Sequence, residues 1–526
     1  MTKTGFVGAS KSVLVVGGGH NGLVCASYLA RAGYRVDILE ARSAMGGGAA
    51  SSDFAEGYRV SGLAHILHSL SPQVRSDLQL DAAGLETGDS IDTIALDKAG
   101  QHITLGIDTL AGGDLSADDI EAYGRFKREF IGYAKALEPL MMNKPPRLKD
   151  MDRRDKLTLA KLGWQLRFGL GKDSMREFLR IGGINIYDVL NEVFDSPLLK
   201  GAIALDAVMG QHMGPRTPNT VLTYLHRLWG ETHSRPSLPS GGMGSIAKAL
   251  ERAAANAGVS MRTAAKVQRI LVVDGAAVGV ELESGEQLHA DIVISNADAK
   301  TTFLKLVDSS EFDAMFVHRV NSIRANGDVA KVHLALDGLP KIVGLSVEQL
   351  SQRLIIAPNM RYVEHAFNHS KYAEFSENPL LEITIPSIAD SSLAPPGHHV
   401  MSISASFAPY ALKLGWETQR DAFMQRVIAV IEQYAPGFGA QIIAREILTP
   451  VDIETQYHLS GGHWHHGEMA IDQLFMLRPV YGAAQYDTPI EGLYLCGAAA
   501  HPGGGLTGLP GRNAAQRVMR ATEWRP

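Results

Sequence analysis

Three clusters of residues in this 526-residue chain combine types and spacings suited to chemistry. Gly17, Gly19 and Gly22 fit the pattern G-x-G-x-x-G, and Glu40 follows 18 residues after the last of them. Glycines so spaced give a tight turn, let bare backbone approach a pyrophosphate, and bring a helix close to a strand. A carboxylate about 20 residues further on accepts from a ribose hydroxyl. The second cluster, HPGGGLTGLPG at 501–511, holds Gly503, Gly504, Gly505 and Gly508. Backbone N–H groups at such a turn form an anion-accepting surface. The third, GGHWHHGEMAIDQ at 461–473, gathers His463, His465, His466 and Glu468. Imidazole near neutral pH can take up a proton as hydride leaves a neighbouring carbon. His466 is the first candidate for that role, ahead of His65 and His463. The run H-x-H-H lacks the H-x-x-x-H spacing of helical zinc sites, so no metal is assigned to it.

The elements around the first cluster make its reading specific. Residues 13–16 form an apolar run suited to a strand buried on both faces. Apolar residues then recur at helical spacing (Leu23, Ala26, Leu29, Ala30) until Gly33 closes the helix. A second strand at 34–39 leads into Glu40. Strand, glycines, helix, strand and acid in that order predict a dinucleotide with its pyrophosphate at the helix N-terminus. An acid rather than an arginine at position 40 argues against a 2′-phosphate, leaving FAD or NAD. At the far end, a strand at 493–495 runs into Cys496 and Gly497, then the second glycine cluster and a last helix at 512–522. Two such junctions suit one large ligand gripped at both ends. FAD fits better than NAD, because its ring system must be anchored far from the adenine. No second nucleotide domain of the strand, G-x-G-x-x-G, helix, strand type is visible, which points to reoxidation by oxygen, a quinone or another acceptor.

Composition sets the outer bounds. The chain is too long for one ordinary core, and 45% hydrophobic with 20% charged residues describes a globular protein. A net charge of −6 gives no overall case for nucleic acid. Cys25 and Cys496 read as buried free thiols in a reducing compartment. Residues 1–10 lack the apolar core of a signal peptide, and no long apolar run offers a membrane span. The expectation is a cytoplasmic protein. The fold class is α/β: a discontinuous Rossmann-type nucleotide domain (1–80, 236–310 and 485–526), a mixed-sheet substrate domain (81–115 and 311–484) and a helical cap (116–235). A helix is predicted at 65–78. The turns Asp274-Gly275 and Ser284-Gly285 mark a meander, and strands at 328–336, 380–385, 400–407 and 442–448 build the second sheet.

Residues 13–40, 45–54, 239–244, 291–298 and 494–511 together resemble the phytoene desaturase-like flavoproteins of the amine-oxidase-like superfamily. Within it they are similar to the subgroup of PYROXD2-type proteins and desaturase-type carotenoid ketolases. The resemblance implies noncovalent FAD and oxidation of an apolar or amine-bearing substrate by hydride loss to flavin N5. It implies that Gly17, Gly19, His20, Asn21 and Gly22 surround the pyrophosphate, and that Glu40 takes the ribose beside Ala41 and Arg42. Gly47 and Gly48 pass the flavin side, Val267 meets the adenine by backbone, and Asn296 and Gly497 adjoin the cofactor. Gly504, Gly505, Leu506 and Thr507 lie near the isoalloxazine. Many relatives carry an acid after the glycine matching Gly497, where this chain has Ala498.

The expected activity is thus an FAD-dependent dehydrogenase or oxidase acting on a small organic molecule. An amine or cyclic-imine oxidase is the first alternative, with Trp464, Tyr457 and Tyr481 available for an aromatic cage. A low-turnover flavoprotein that binds a membrane or partner is the second. Residues 144–180 hold 11 Lys/Arg against 5 Asp/Glu, interleaved with Trp164, Leu166, Phe168 and Leu170. That stretch is either a peripheral contact with an anionic bilayer or solvated helices whose Trp and Leu face the core.

Overall fold

The computed structural model describes residues 11–147 and 149–523, so the reading of 1–10 lies outside the described residues. Five parallel strands form one sheet, in the order Leu493–Leu495, Ile292–Ser295, Ser12–Val16, Arg35–Leu39 and Ser260–Arg262. Ser12–Val16 is central and fully buried, as its unbroken apolar run requires. The chain leaves it to one side for Arg35–Leu39 and returns on the other at Ile292–Ser295. That reversal opens a crevice at the carboxyl ends of the strands. The helix His20–Arg31 packs on this sheet between Gly244–Asn256 and Leu509–Glu523. Gly511 allows the last approach, since a Cβ there would lie 2.2 Å from the Asn21 carbonyl oxygen. Cys25 and Cys496 are both buried and free.

The second sheet has eight strands, ordered Ile442–Leu448, Val329–Leu336, His399–Ser406, Leu380–Thr384, Arg353–Ile356, Thr93–Ala95, Ile103–Leu105 and Leu110–Gly112. All neighbours are antiparallel except Arg353–Ile356 with Thr93–Ala95. Its two faces differ in chemistry. Ala330, Val332, Leu334 and Leu336 pack with Met401, Ile403 and Ala405 against the helix Trp416–Glu432. The intervening residues put Lys331, His333, Glu382, Thr384, Ser402 and Ser404 on the other face, all buried. Period-two alternation therefore separates an oily face from a buried polar one.

A helical region from Ala117–Ala136 to Thr220–Glu231 packs against the second sheet, its helices opened by the side-chain caps Ser116, Asp152, Asn185 and Ser196. At its centre Phe126 stacks on Phe130 and Tyr224 and meets Phe194 edge-on.

Two expectations are corrected here. The helix predicted over 65–78 is confined to Pro72–Asp77. Pro72 disfavours helical geometry at Ser71, and Leu67 instead pairs with Ser237 in an isolated bridge. The Trp of 144–180 does not face the core: Trp164 is 63% exposed and Phe168 60%, their rings in tilted contact with centroids 4.5 Å apart. Among the described residues no helix is long and apolar enough to cross a membrane.

Candidate functional site

A cavity of about 650 Å³ runs from the first glycine cluster to the polar face of the second sheet. Its volume lies within the range of small-molecule and cofactor sites.

One end is built from backbone. Gly17 has φ +98° and donates its N–H to the Leu39 carbonyl at 2.8 Å, which carries the ladder between the two strands into the turn. Gly22 packs so tightly that a Cβ would lie 2.2 Å from the Gly17 oxygen, and one on Gly19 would lie 2.8 Å from Asn296 Nδ2. No side chain caps the helix that begins at His20, so its first N–H groups remain open to a ligand. Glu40 Oε2 accepts from the Gly18 N–H at 2.7 Å and Oε1 from the Arg42 N–H at 2.8 Å. Its carboxylate thus ties the turn to the segment after the second strand, with lone pairs to spare. Arg42 donates to the Gly47 carbonyl at 3.2 Å and stacks over the Tyr457 ring.

The second and third clusters meet midway along the cavity. His465 lies against Gly504, where a Cβ would come within 1.8 Å of the imidazole Nδ1. Ser69 holds the glycine loop by accepting from the Leu506 N–H at 3.1 Å. Arg478, fully buried, fixes the histidine segment by donating to the carbonyls of His465, Glu468, Gln473 and Ala498. Burial lowers its pKa to about 10, which leaves it charged at neutral pH. Burial also lowers His20 and His466 to about 4, so both imidazoles are neutral at physiological pH.

The opposite end is built from side chains. His65 Nε2 donates to Glu382 Oε1 at 2.8 Å, and Lys331 Nζ lies 2.6 Å from His65 Nδ1. Burial lowers Lys331 to about 7; burial and then the Lys331 charge hold His65 down at about 4. Arg353 bridges Glu382 Oε2 and Asp206 Oδ1, each at 2.6 Å. Asp206 also faces Arg227 at 3.4 Å, Arg227 faces Glu231 at 3.0 Å, and Glu231 faces Lys127 at 3.9 Å. A continuous ionic chain thus joins the second sheet to the helical region.

Of the residues expected to hold the cofactor, all line this cavity except Gly22 and Gly497, which set backbone packing beside it. His65 and His466 also line it. His463 does not: it is 1% exposed, and its Nδ1 accepts from the His465 N–H. Tyr457 and Trp464 line the cavity, but Tyr481 is 70% exposed beneath Arg319 and belongs to no aromatic cage. Sequence reasoning missed Asp206, Arg227, Lys331, Arg353, Glu382 and Arg478. Only the polar residues interrupting buried strands at 331, 353 and 382 gave any signal.

Two observations test the fit of a flavin dinucleotide. The glycine turn would be filled by any Cβ, and buried polar atoms without partners concentrate around the cavity. Among the described residues, 15 buried side-chain atoms lack a hydrogen-bond partner. Eight belong to residues lining the cavity, including His20 Nε2 and Asn21 Oδ1 at the helix start. Buried polar groups are normally satisfied, so this distribution fits a polar ligand along its whole length.

The family profile described as flavin containing amine oxidoreductase matches residues 22–519. The chain is 34% identical over 541 residues to pyridine nucleotide-disulfide oxidoreductase domain-containing protein 2 of Mus musculus, covering 96% of this chain and 93% of that one. It is 26% identical over 520 residues to the neurosporene-forming phytoene desaturase of Cereibacter sphaeroides, covering 95% of this chain and 92% of the relative. The solved structure of putrescine oxidase bound to putrescine shares the fold, with a TM-score of 0.61 at 15% identity over 98% of this chain and 99% of that one. With a glycine turn, an uncapped helix start and a family match across nearly its whole length, the chain belongs to the flavin containing amine oxidoreductase family and is an FAD-dependent oxidoreductase of the amine-oxidase superfamily.

Proposed function

We propose that the chain holds FAD noncovalently along the cavity and dehydrogenates a small organic substrate at the end facing the second sheet. In this reading the FAD-binding part is drawn from 1–80, 236–310 and 485–526, the substrate part from 81–115 and 311–484, and the cap from 116–235. A bound flavin would supply a hydride acceptor, its N5, that oxygen, a quinone or another acceptor could reoxidise. Gly17 shapes the turn, and Gly19 with the start of the helix His20–Arg31 presents backbone N–H groups to the pyrophosphate. Glu40 accepts from the ribose, and Val267 faces the adenine. Gly504, Gly505, Leu506 and Thr507 support the ring system. His466 takes the substrate proton at Nδ1, which is buried and without a donor. Asp298 lies close enough to favour the imidazolium so formed. The helical region and the polar sheet face exclude water and orient the substrate.

The observation that carries this reading is the shared cavity: two glycine clusters almost 500 residues apart in sequence line one volume. A second reading, amine or cyclic-imine oxidation, is favoured by Tyr457 and Trp464, which line that cavity. Exposure of Trp164 and Phe168 among basic side chains supports peripheral contact with an anionic bilayer through 144–180. The test is anaerobic mixing of the purified yellow protein with amines, terpenoids and polyenes while the visible spectrum is followed. Bleaching by one class identifies the substrate; a preparation that FAD cannot reconstitute would overturn the proposal.

A further inference from the structure

One buried charge stands apart from the ionic chain. Among the described residues, the buried Lys and Arg side chains are Lys127, Lys331, Arg353 and Arg478. Lys127 faces Glu231, and Arg353 faces both Glu382 and Asp206. Lys331 can shed its proton, since burial brings it down to about 7. Arg478 has neither recourse. It is 2% exposed, burial lowers it only to about 10, and its hydrogen bonds all go to main-chain carbonyls. Two reach Ala498, at 3.1 and 2.8 Å, and the others reach Glu468, Gln473 and His465. The carboxylates beside this segment are engaged elsewhere: Glu468 by Arg324 and Asn326, Asp298 by Ser460 and Thr301. Carbonyl dipoles lessen the cost of burying the cation, but no negative charge cancels it.

The place of this charge is as particular as its isolation. Ala498 and Gly504 line the cavity, and Arg478 stands directly behind them. It binds the Ala498 carbonyl, and a Cβ on Gly503 would lie 3.2 Å from its Nε. His465, whose carbonyl it also holds, packs on Gly504. The field reaches the cavity: burial first, and then the Arg478 charge, lower the cavity-lining His226 to about 3.

We propose that Arg478 is a fixed positive charge, set behind the glycine loop, that makes the bound flavin easier to reduce. Hydride carries two electrons and one proton, so its arrival adds one negative charge to this end of the cavity. Arg478 offsets that charge from behind Ala498, Gly503 and Gly504. The packing that buries Arg478 also keeps away the water that would screen it. This deepens the FAD reading and rests on it. Arg478 touches neither substrate nor ring; it acts through its field.

The test measures the midpoint potential of the flavin in the full-length, loaded protein by equilibration with a reference dye. Arg478→Gln keeps amide donors for the carbonyls and removes the charge. Its equilibrium for reduction should fall about tenfold or more, a tenfold change being about 30 mV for a two-electron couple. Arg478→Lys keeps the charge and should stay within about threefold of wild type. Ala498→Asp leaves Arg478 in place and sets a carboxylate on the residue whose carbonyl it binds. It should lower the equilibrium about tenfold too, and it carries the test should Arg478→Gln fail to fold. Flavin content equal to wild type certifies each variant as folded. An unmoved potential in loaded Arg478→Gln or Ala498→Asp, or Arg478→Lys falling as far as Arg478→Gln, would overturn the role of charge. Loss of flavin from all three variants would do the same, marking Arg478 as a structural clasp. A wild type that takes up no flavin would instead contradict the FAD reading, and this inference with it.

Discussion

The two ends of the cavity are made in different ways. The nucleotide end is a backbone object, in which a turn, an uncapped helix start and absent Cβ atoms leave room for an anion. Most of its parts come from one unbroken stretch, 13–48, joined by Val267, Asn296 and the loop at 504–507. The substrate end is a side-chain object. His65, Asp206, Arg227, Lys331, Arg353 and Glu382 come from distant segments and meet only when the second sheet and the helical region close together. A backbone site tolerates side-chain change wherever no Cβ is added. A side-chain network fails when one partner is removed, because the other is left buried and charged.

That contrast can be broken experimentally, and the largest effect is expected in the ionic chain. Arg353→Met leaves Glu382 and Asp206 without their shared partner and should lower stability by about 3–5 kcal/mol, read by denaturant unfolding. Folded molecules should still hold flavin, since Arg353 lies at the other end. Unchanged stability, or loss of flavin from folded protein, would show that the two ends are not separate constructions.

A narrower effect sharpens the assignment of the base. His466→Ala should lower kcat by about 10²-fold or more with substrate affinity little changed, the usual yield of a positioned proton acceptor. The group acts when neutral, and burial lowers its pKa to about 4. Wild-type activity should thus be flat from neutral pH down to about 5 and fall as pH drops through 4. A fall centred near 6.5, the ordinary histidine value, would place the proton on another, less buried residue.

The same contrast explains what the sequence could convey. The glycine turn, the strands beside it and the loop at 501–511 are local patterns, and local patterns are legible in one chain. The alternating strand at 329–336 was legible as a strand. Its Lys331 was not legible as a site residue, because nothing local says that the polar face of a sheet is covered by helices more than 100 residues upstream. Arg227 sits in an ordinary amphipathic helix and becomes exceptional only beside Asp206 and Glu231. The predicted helix at 65–78 failed for a related reason: His65 and Leu67 have helical composition, but tertiary pairing with Glu382 and Ser237 holds them extended. His463 and His466 could not be told apart by spacing. The fold buries one behind the wall and lines the cavity with the other.

Everything above turns on one FAD being gripped by both glycine clusters, and cofactor stoichiometry reads that out. Purified protein is saturated with FAD, freed of excess and denatured, and the released flavin is counted per chain for wild type and for Gly19→Val. A valine at Gly19 would press its Cβ to 2.8 Å from Asn296 Nδ2 and block the backbone approach. About one FAD per wild-type chain and essentially none in the folded variant are expected. A colourless wild type, or a Gly19→Val protein loaded like wild type, would contradict the shared grip.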